Sequence, residues 1–317
     1  MLDIVGKRYW YFALSLLIII PGLIAMGVHW GQSGQPFRLA IDFTGGTLLE
    51  LKFDKPQTFS TDEVVRVFSQ VGVNPNDVVV QQAGADTLVI RTKEIDNITK
   101  VKAEEALGEK YGKYTELRAE SVGPAIGTEI AQRAAGAVVL ATIAILLYIT
   151  WAFRHVPSPF RYGVCAIIAL VHDVLVLLGA MAIFGMVFGW EVDALYLTAM
   201  LTVIGFSVHD TIVVFDRIRE NIARMRGLPF EQVVNHSILQ TLDRSINTVL
   251  TVLFTLAALI LFGGVTIRHF VVILFLGIFS GMYSSIFNAA PLLVVWETGE
   301  LAKFFRRNSD GKNQATA

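Results

Sequence analysis

The chain has 317 residues, 54% of them hydrophobic and 17% charged, with a mean hydropathy of +0.56. Those values lie on the apolar side of soluble globular domains, and a net charge of −1 gives no reason to expect nucleic-acid binding. Cys165 is the one cysteine, which excludes an intrachain disulfide and reads as a small buried packing residue.

Charge is spread unevenly: residues 29–130 are rich in Lys, Asp and Glu, while much of the rest is nearly charge-free. The pattern predicts an α-helical membrane protein carrying one water-exposed domain. A bilayer crossing needs about 20 apolar residues. Six stretches qualify: Tyr9–Val28, Ala134–Phe153, Phe160–Phe188, Ala194–Phe215, Ile246–Phe262 and Phe270–Trp296. Tyr9, Trp10, Tyr11, Trp30, Trp151, Trp190 and Trp296 fall near span ends, where interfacial aromatics belong. No small-residue cleavage site follows the first span, so it reads as a retained helix. The expected divisions are 1–28 (N-terminus and first span), 29–130 (domain), 131–300 (spans two to six) and 301–317 (basic tail).

Loop charges predict orientation. Lys7 and Arg8, Arg154 and Arg161, Arg217 to Arg226, and Lys303, Arg306 and Arg307 all fall on one side, which the positive-inside rule makes cytoplasmic. Both termini are then cytoplasmic, and the domain between spans one and two is extracytoplasmic.

Within the domain, FRLAIDF (37–43) and TLLELKF (47–53) alternate as two strands would, joined through Thr44, Gly45 and Gly46. Ser60 and Glu63 have capping-box spacing for a short amphipathic helix. Asp77–Gln82 and Thr87–Thr92 read as strands, Asp96–Tyr111 as a second helix and Tyr114–Glu120 as a last strand. The order β-β-α-β-β-α-β predicts an α+β sandwich of ferredoxin-like arrangement. No metal-ligand cluster, nucleophile–base pair or phosphate-cradling loop is present, which points to binding rather than catalysis.

The spans themselves carry ionisable residues, which are expensive in a bilayer and mark function. Span three holds His172 and Asp173; span four holds Ser207, His209 and Asp210, with Asp216 near its end. Span five opens on Arg244 and continues through Asn247, Thr248, Thr251 and Thr255. At 100° per residue the span-five polar residues share one face, and Thr198, Thr202, Gly205, His209 and Asp216 form a stripe on span four. Both faces are expected to point into the bundle. Asp210 is read as pairing with Arg244, because a carboxylate gaining or losing a fixed cation changes its proton affinity. His172, Asp173 and His209 are secondary relay candidates, and Ser207–Asp210 reads as one buried proton-handling segment. Two plainer readings stay open: Asp210 bonding neighbouring helices, and Arg244 snorkelling to headgroups. The stretch 216–221 (DRIREN) with Phe230–Leu239 reads as an interfacial helix, and Asp216 with Arg217 as a solvated boundary pair.

DFTGGT (42–47), SVGPAIG (121–127), ALVHD (169–173), GFSVHDTIVVFDRIREN (205–221) and TLDRSINT (241–248) together resemble motifs of the SecD/SecF family of bacterial protein-export membrane proteins, in order and over nearly the whole chain. The resemblance implies a six-span half of a resistance–nodulation–division (RND) type fold, in the inner membrane, completed by SecD. It implies no enzymatic activity and no cofactor, with protons as the coupling ion. Partners would be SecD, the SecY/SecE/SecG translocon, the unfolded preprotein and the bilayer. The family's proton-transfer positions correspond here to Asp210 and Arg244; His209 stands where the family often has Asn.

A small-molecule exporter of the related pump superfamily is the competing reading, although such exporters usually carry two six-span halves. An intramembrane metalloprotease or an ATP-driven motor is disfavoured, because HExxH and GxxxxGK[ST] are both missing.

Overall fold

The computed structural model describes residues 2–300; the basic tail 301–317, with Lys303, Arg306 and Arg307, lies outside the described residues. The chain divides into two compact units, Leu39–Gly136 and Met1–Arg38 with Ala137–Ala317.

In the smaller unit a short helix, α2 (Ile41–Thr44), leads into β1 (Gly46–Phe53). Then follow α3 (Thr61–Gln70), β2 (Val79–Ala83), β3 (Thr87–Thr92), α4 (Asn97–Tyr111) and β4 (Tyr114–Val122). The sheet order is β2-β3-β1-β4 with every pair antiparallel, a ferredoxin-like sheet. Alternate residues of β1, namely Leu49, Leu51 and Phe53, are buried with Leu88 and Ile90 of β3. Against them pack Val64, Val67 and Phe68 of α3, and Ala103 and Leu107 of α4. Asp96 caps α4, accepting from the Thr99 N–H at 3.1 Å, which supports the predicted helix start. Ser60 makes no side-chain cap bond, so the capping box read from its spacing does not form.

The expected first strand, FRLAIDF, is absent. Residues 41–44 close a helical turn, with the Gly45 N–H donating to the Ile41 carbonyl at 2.8 Å. Gly45 and Gly46 are therefore not a hairpin turn. Both have positive φ, 73° and 128°, where side chains are strained. They are also crowded: a Cβ on Gly45 would lie 2.7 Å from Pro124 Cα, and one on Gly46 would lie 2.5 Å from the Thr92 carbonyl oxygen. Alternation at 37–43 suggested a strand, but this local packing decides the conformation.

The spans are α5 (Pro124–Ala152), which begins in the smaller unit and continues in the larger from Ala137, and, wholly in the larger unit, α1 (Arg8–Ser33), α6 (Pro159–Phe188), α7 (Ala194–Arg224), α8 (Phe230–Phe262) and a last span over Ile267–Glu297. That last span is built of α9 (Val265–Ser284), a π-helical turn at Ser285–Ala289, and α10 (Ala290–Glu297). The protein is a multi-pass membrane protein. The predicted interfacial helix does not exist separately. DRIREN is the end of α7, and Phe230–Leu239 is the first part of α8. The reason is packing: Val233, Val234, Ser237 and Ile238 are buried, and Asn221 of α7 donates to Ser237 Oγ and Gln240 Oε1, each at 2.9 Å. Asp216 pairs with Arg219 rather than Arg217, whose guanidinium pairs with Glu220 at 2.8 Å.

Candidate functional site

Two buried carboxylates lie among the spans. Asp173 of α6 is 1% exposed and receives four donors. Its Oδ1 accepts from Ser280 Oγ at 2.7 Å and faces His172 Nδ1 at 3.1 Å, which donates when it carries the ring proton. Its Oδ2 accepts from Ser207 Oγ at 2.6 Å and Ser284 Oγ at 2.7 Å. Three helices thus converge on one carboxylate: α6 supplies it, α7 supplies Ser207, and α9 supplies Ser280 and Ser284.

Small residues make that convergence possible. A Cβ on Gly277 would lie 2.3 Å from a Val203 methyl, and one on Gly281 would lie 2.9 Å from Ser207 Cβ. Glycine at both positions lets α9 approach α7 closely, as small residues do between membrane helices. One turn further along, Thr211 Oγ1 and Ser285 Oγ lie 2.8 Å apart, and the Ser207 carbonyl accepts from both hydroxyls.

Asp210 of α7 sits differently. Its Oδ1 accepts from Ser245 Oγ of α8 at 2.7 Å, while Oδ2 is buried and makes no hydrogen bond. The pair with Arg244 is not formed. Arg244 is exposed and lines a cleft with Asp216, Glu220 and Thr241, and Ser245 occupies the place beside Asp210. The predicted pairing missed by one residue, a rotation of about 100° on the helix.

The polar stripes also face the opposite way from expectation. Thr198, Thr202 and His209 of α7, with Arg244, Asn247, Thr248, Thr251 and Thr255 of α8, are exposed in the chain rather than turned into its bundle. Their threonines bond back to their own helix, as Thr202 Oγ1 does to the Thr198 carbonyl at 2.8 Å. Sequence reading had attached Ser207 to Asp210, but the structure gives it to Asp173. Ser245, Ser280 and Ser284 were not singled out at all. A lone serine in an apolar span is unremarkable, and the available signal was the four-residue spacing of Ser280 and Ser284. Among the described residues no cluster of His, Cys, Asp and Glu could hold a metal ion.

A six-span half with this buried carboxylate pair and a ferredoxin-like domain after the first span defines a class, the SecD/SecF type of export membrane protein. Residues 102–299 match the family described as protein export membrane protein SecD/SecF, C-terminal, and residues 32–57 match the SecD/SecF GG motif. The chain is 51% identical over 311 residues to the protein translocase subunit SecF of Anaerolinea thermophila, covering 98% of each. It is 52% identical over 319 residues to SecF of Thermobaculum terrenum, covering 97% of this chain and 98% of that one. Its fold is similar to the crystal structure of SecDF, a translocon-associated membrane protein from Thermus thermophilus. The TM-score is 0.79 at 34% identity, over 94% of this chain and 39% of that one. The chain belongs to the SecF family of protein translocase subunits and is an auxiliary subunit of Sec protein export. These relatives are translocase subunits, which turns the reading away from a small-molecule exporter.

Proposed function

We propose that this chain pairs with a SecD half and uses the proton-motive force to promote preprotein translocation, with Asp210 as the group that binds and releases the proton. The observation that carries this reading is the half-filled hydrogen bonding of Asp210. Oδ2 can carry a proton without breaking the Ser245 bond. When the proton leaves, the buried anion needs a cation, and Arg244 is the nearest arginine along α8. A movement of α8 about its axis brings it in place of Ser245, so that protonation and helix position become linked. One proton crossing 100 mV supplies about 2.3 kcal/mol, enough to bias a conformational equilibrium of a few kcal/mol.

The exposed polar stripes on α7 and α8 support the partner. The threonines are satisfied by their own helices, but the exposed side chains of His209, Arg244 and Asn247 would be costly against hydrocarbon, so this face suits contact with another six-span half. His209, Asn247, Thr248 and Thr251 would then lie at that contact, with His209 placed to join the proton path. His172, Ser207 and Asp173 serve instead as the fixed junction of α6, α7 and α9. No cofactor is needed, since the proton is the coupling ion. The Sec translocon and the emerging preprotein complete the set of partners. The basic loop residues support an inner-membrane topology with both termini cytoplasmic and the α+β domain outside.

The test is proton-driven export into membrane vesicles holding the chain with SecD and the translocon. Asp210→Asn is expected to lower proton-dependent stimulation by about a hundredfold while leaving assembly intact. Unchanged stimulation overturns the reading.

A further inference from the structure

Between α7 and α8 lies a cavity of about 300 Å³ whose lining includes Val213, Asp216, Glu220, Gln240, Thr241 and Arg244. It is at the helix ends that continue into the basic segment Arg217–Arg226. Charged and amide groups dominate its walls, and a polar cavity of that size takes up water where an apolar one stays dry. Val213 follows Asp210 by three residues, and Thr241 precedes Ser245 by four. The cavity therefore comes within about 4.5 Å of the Asp210–Ser245 bond along α7 and about 6 Å along α8, roughly one turn on each helix. Asp210 is 7% exposed, and its Oδ2 has no hydrogen-bond partner.

Asp216 and Glu220 are four residues apart and share the lining, each beside an arginine, Arg219 and Arg217 respectively. Asp210, Asp216 and Glu220 thus mark successive steps along one helix toward the basic end.

We propose that this cavity is the cytoplasm-side access route for the Asp210 proton, with Asp216 and Glu220 as the carboxylates that receive it on the way out. The inference rests on the proton reading of Asp210. In the step, the Asp210 carboxylic acid gives its proton to a water in the cavity and becomes a carboxylate. The hydronium passes that proton to the Asp216 or Glu220 carboxylate, which releases it to solvent. Arg244 lines the same cavity, so the anion left on Asp210 acquires a cation on the side from which the proton departed.

The experiment uses vesicles of both orientations holding the chain with its SecD half. In a Cys165→Ser background, Val213→Cys and Ile212→Cys, at two half-buried lining positions, are exposed to a membrane-impermeant thiol reagent, with the fully buried Val214→Cys as control. Both cavity thiols are expected to react from the cytoplasmic face roughly tenfold faster than the control, and not from the other face. No reaction, or equal reaction from both faces, overturns the proposal. The double variant Asp216→Asn, Glu220→Gln is expected to lower proton flux severalfold with assembly intact; full flux overturns the exit role. Asp210→Asn separates the two ideas. Unchanged flux there defeats the proton reading itself. Abolished flux, with unlabelled cavity thiols or a fully active double variant, defeats the access route alone.

Discussion

Asp173 and Asp210 are both carboxylates buried among membrane-spanning helices, one on α6 and one on α7. Asp173 has two donors on each oxygen, drawn from its neighbour His172 and from two other helices. Adding a proton to it would displace one of those donors. Asp210 has one donor on one oxygen and none on the other. A proton can be added there without disturbing any bond. Residue type and burial are the same, so the donor count separates a group that fixes helices from one able to change state.

Removing each carboxylate should expose that difference. Asp173→Ala removes the shared acceptor of three serine hydroxyls and His172, of which Ser284 retains another, the Gly281 carbonyl. It is expected to cost on the order of 3–5 kcal/mol, read as a large fall in thermal unfolding temperature in detergent. A loss below about 1 kcal/mol would erase the contrast. Gly281→Ala attacks the same junction from outside, because the new methyl meets Ser207 Cβ at 2.9 Å. Overpacking of about 1–3 kcal/mol is expected, measured in the same way. Asp210→Asn should keep the Ser245 bond through its amide oxygen and shift stability by no more than about 1 kcal/mol. A collapse of folding in that variant would make Asp210 a structural residue like Asp173.

The smallest effect lies in the α+β domain, where the contrast recurs between Glu104 and Glu116. Lys100 Nζ bonds Glu116 at 2.7 Å and holds its carboxyl below the usual range. Glu104 is 8% exposed, and its Oε1 lies 3.5 Å from the same ammonium without a hydrogen bond. Burial pushes its carboxyl up, only partly offset by Lys100. A raised folded value means that Glu104 favours folding in acid, and that this contribution is lost as pH rises through the folded value. Glu116 has the opposite sign, its contribution being lost as pH falls through its lowered value. Glu104→Gln should therefore flatten the decline in stability as pH rises above the ordinary glutamate range, measured by unfolding of the whole chain. An unchanged slope would remove Glu104 from the account.

How far the sequence could be read follows from the same physics. Spans were legible because hydrocarbon imposes length and apolarity on every residue within them, and Asp210 stood out because a carboxylate there is rare. The antiparallel sheet core was legible from alternation in residues 47–53 and 87–92. FRLAIDF misled because alternation says nothing about the crowding that Pro124 and Thr92 impose around Gly45 and Gly46. The direction of the polar stripes was missed for a different reason. Periodicity places residues on one face of a helix, but which neighbour that face meets is decided by the other chains and by lipid. Arg244 drew attention by its charge, although a hydroxyl one position along the helix makes the bond.

The π-helical turn at Ser285–Ala289 carries a consequence for the last span. A turn of this kind holds one more residue than an α-helical turn, so α9 and α10 are out of phase relative to one continuous helix. Around it Ser284 bonds Asp173, Ser285 bonds the Ser207 carbonyl, and Asn288 donates to Ser15 of α1 at 2.8 Å. If the turn tightened to α-helix, everything beyond it would rotate by about 100° relative to α9. Ser284 would keep the Asp173 carboxylate, while Ser285 would lose the Ser207 carbonyl and Asn288 the Ser15 hydroxyl. The extra residue is thus an angular offset stored in the backbone, which lets Ser284 meet Asp173 while Ser285 and Asn288 meet Ser207 and Ser15 on two other helices.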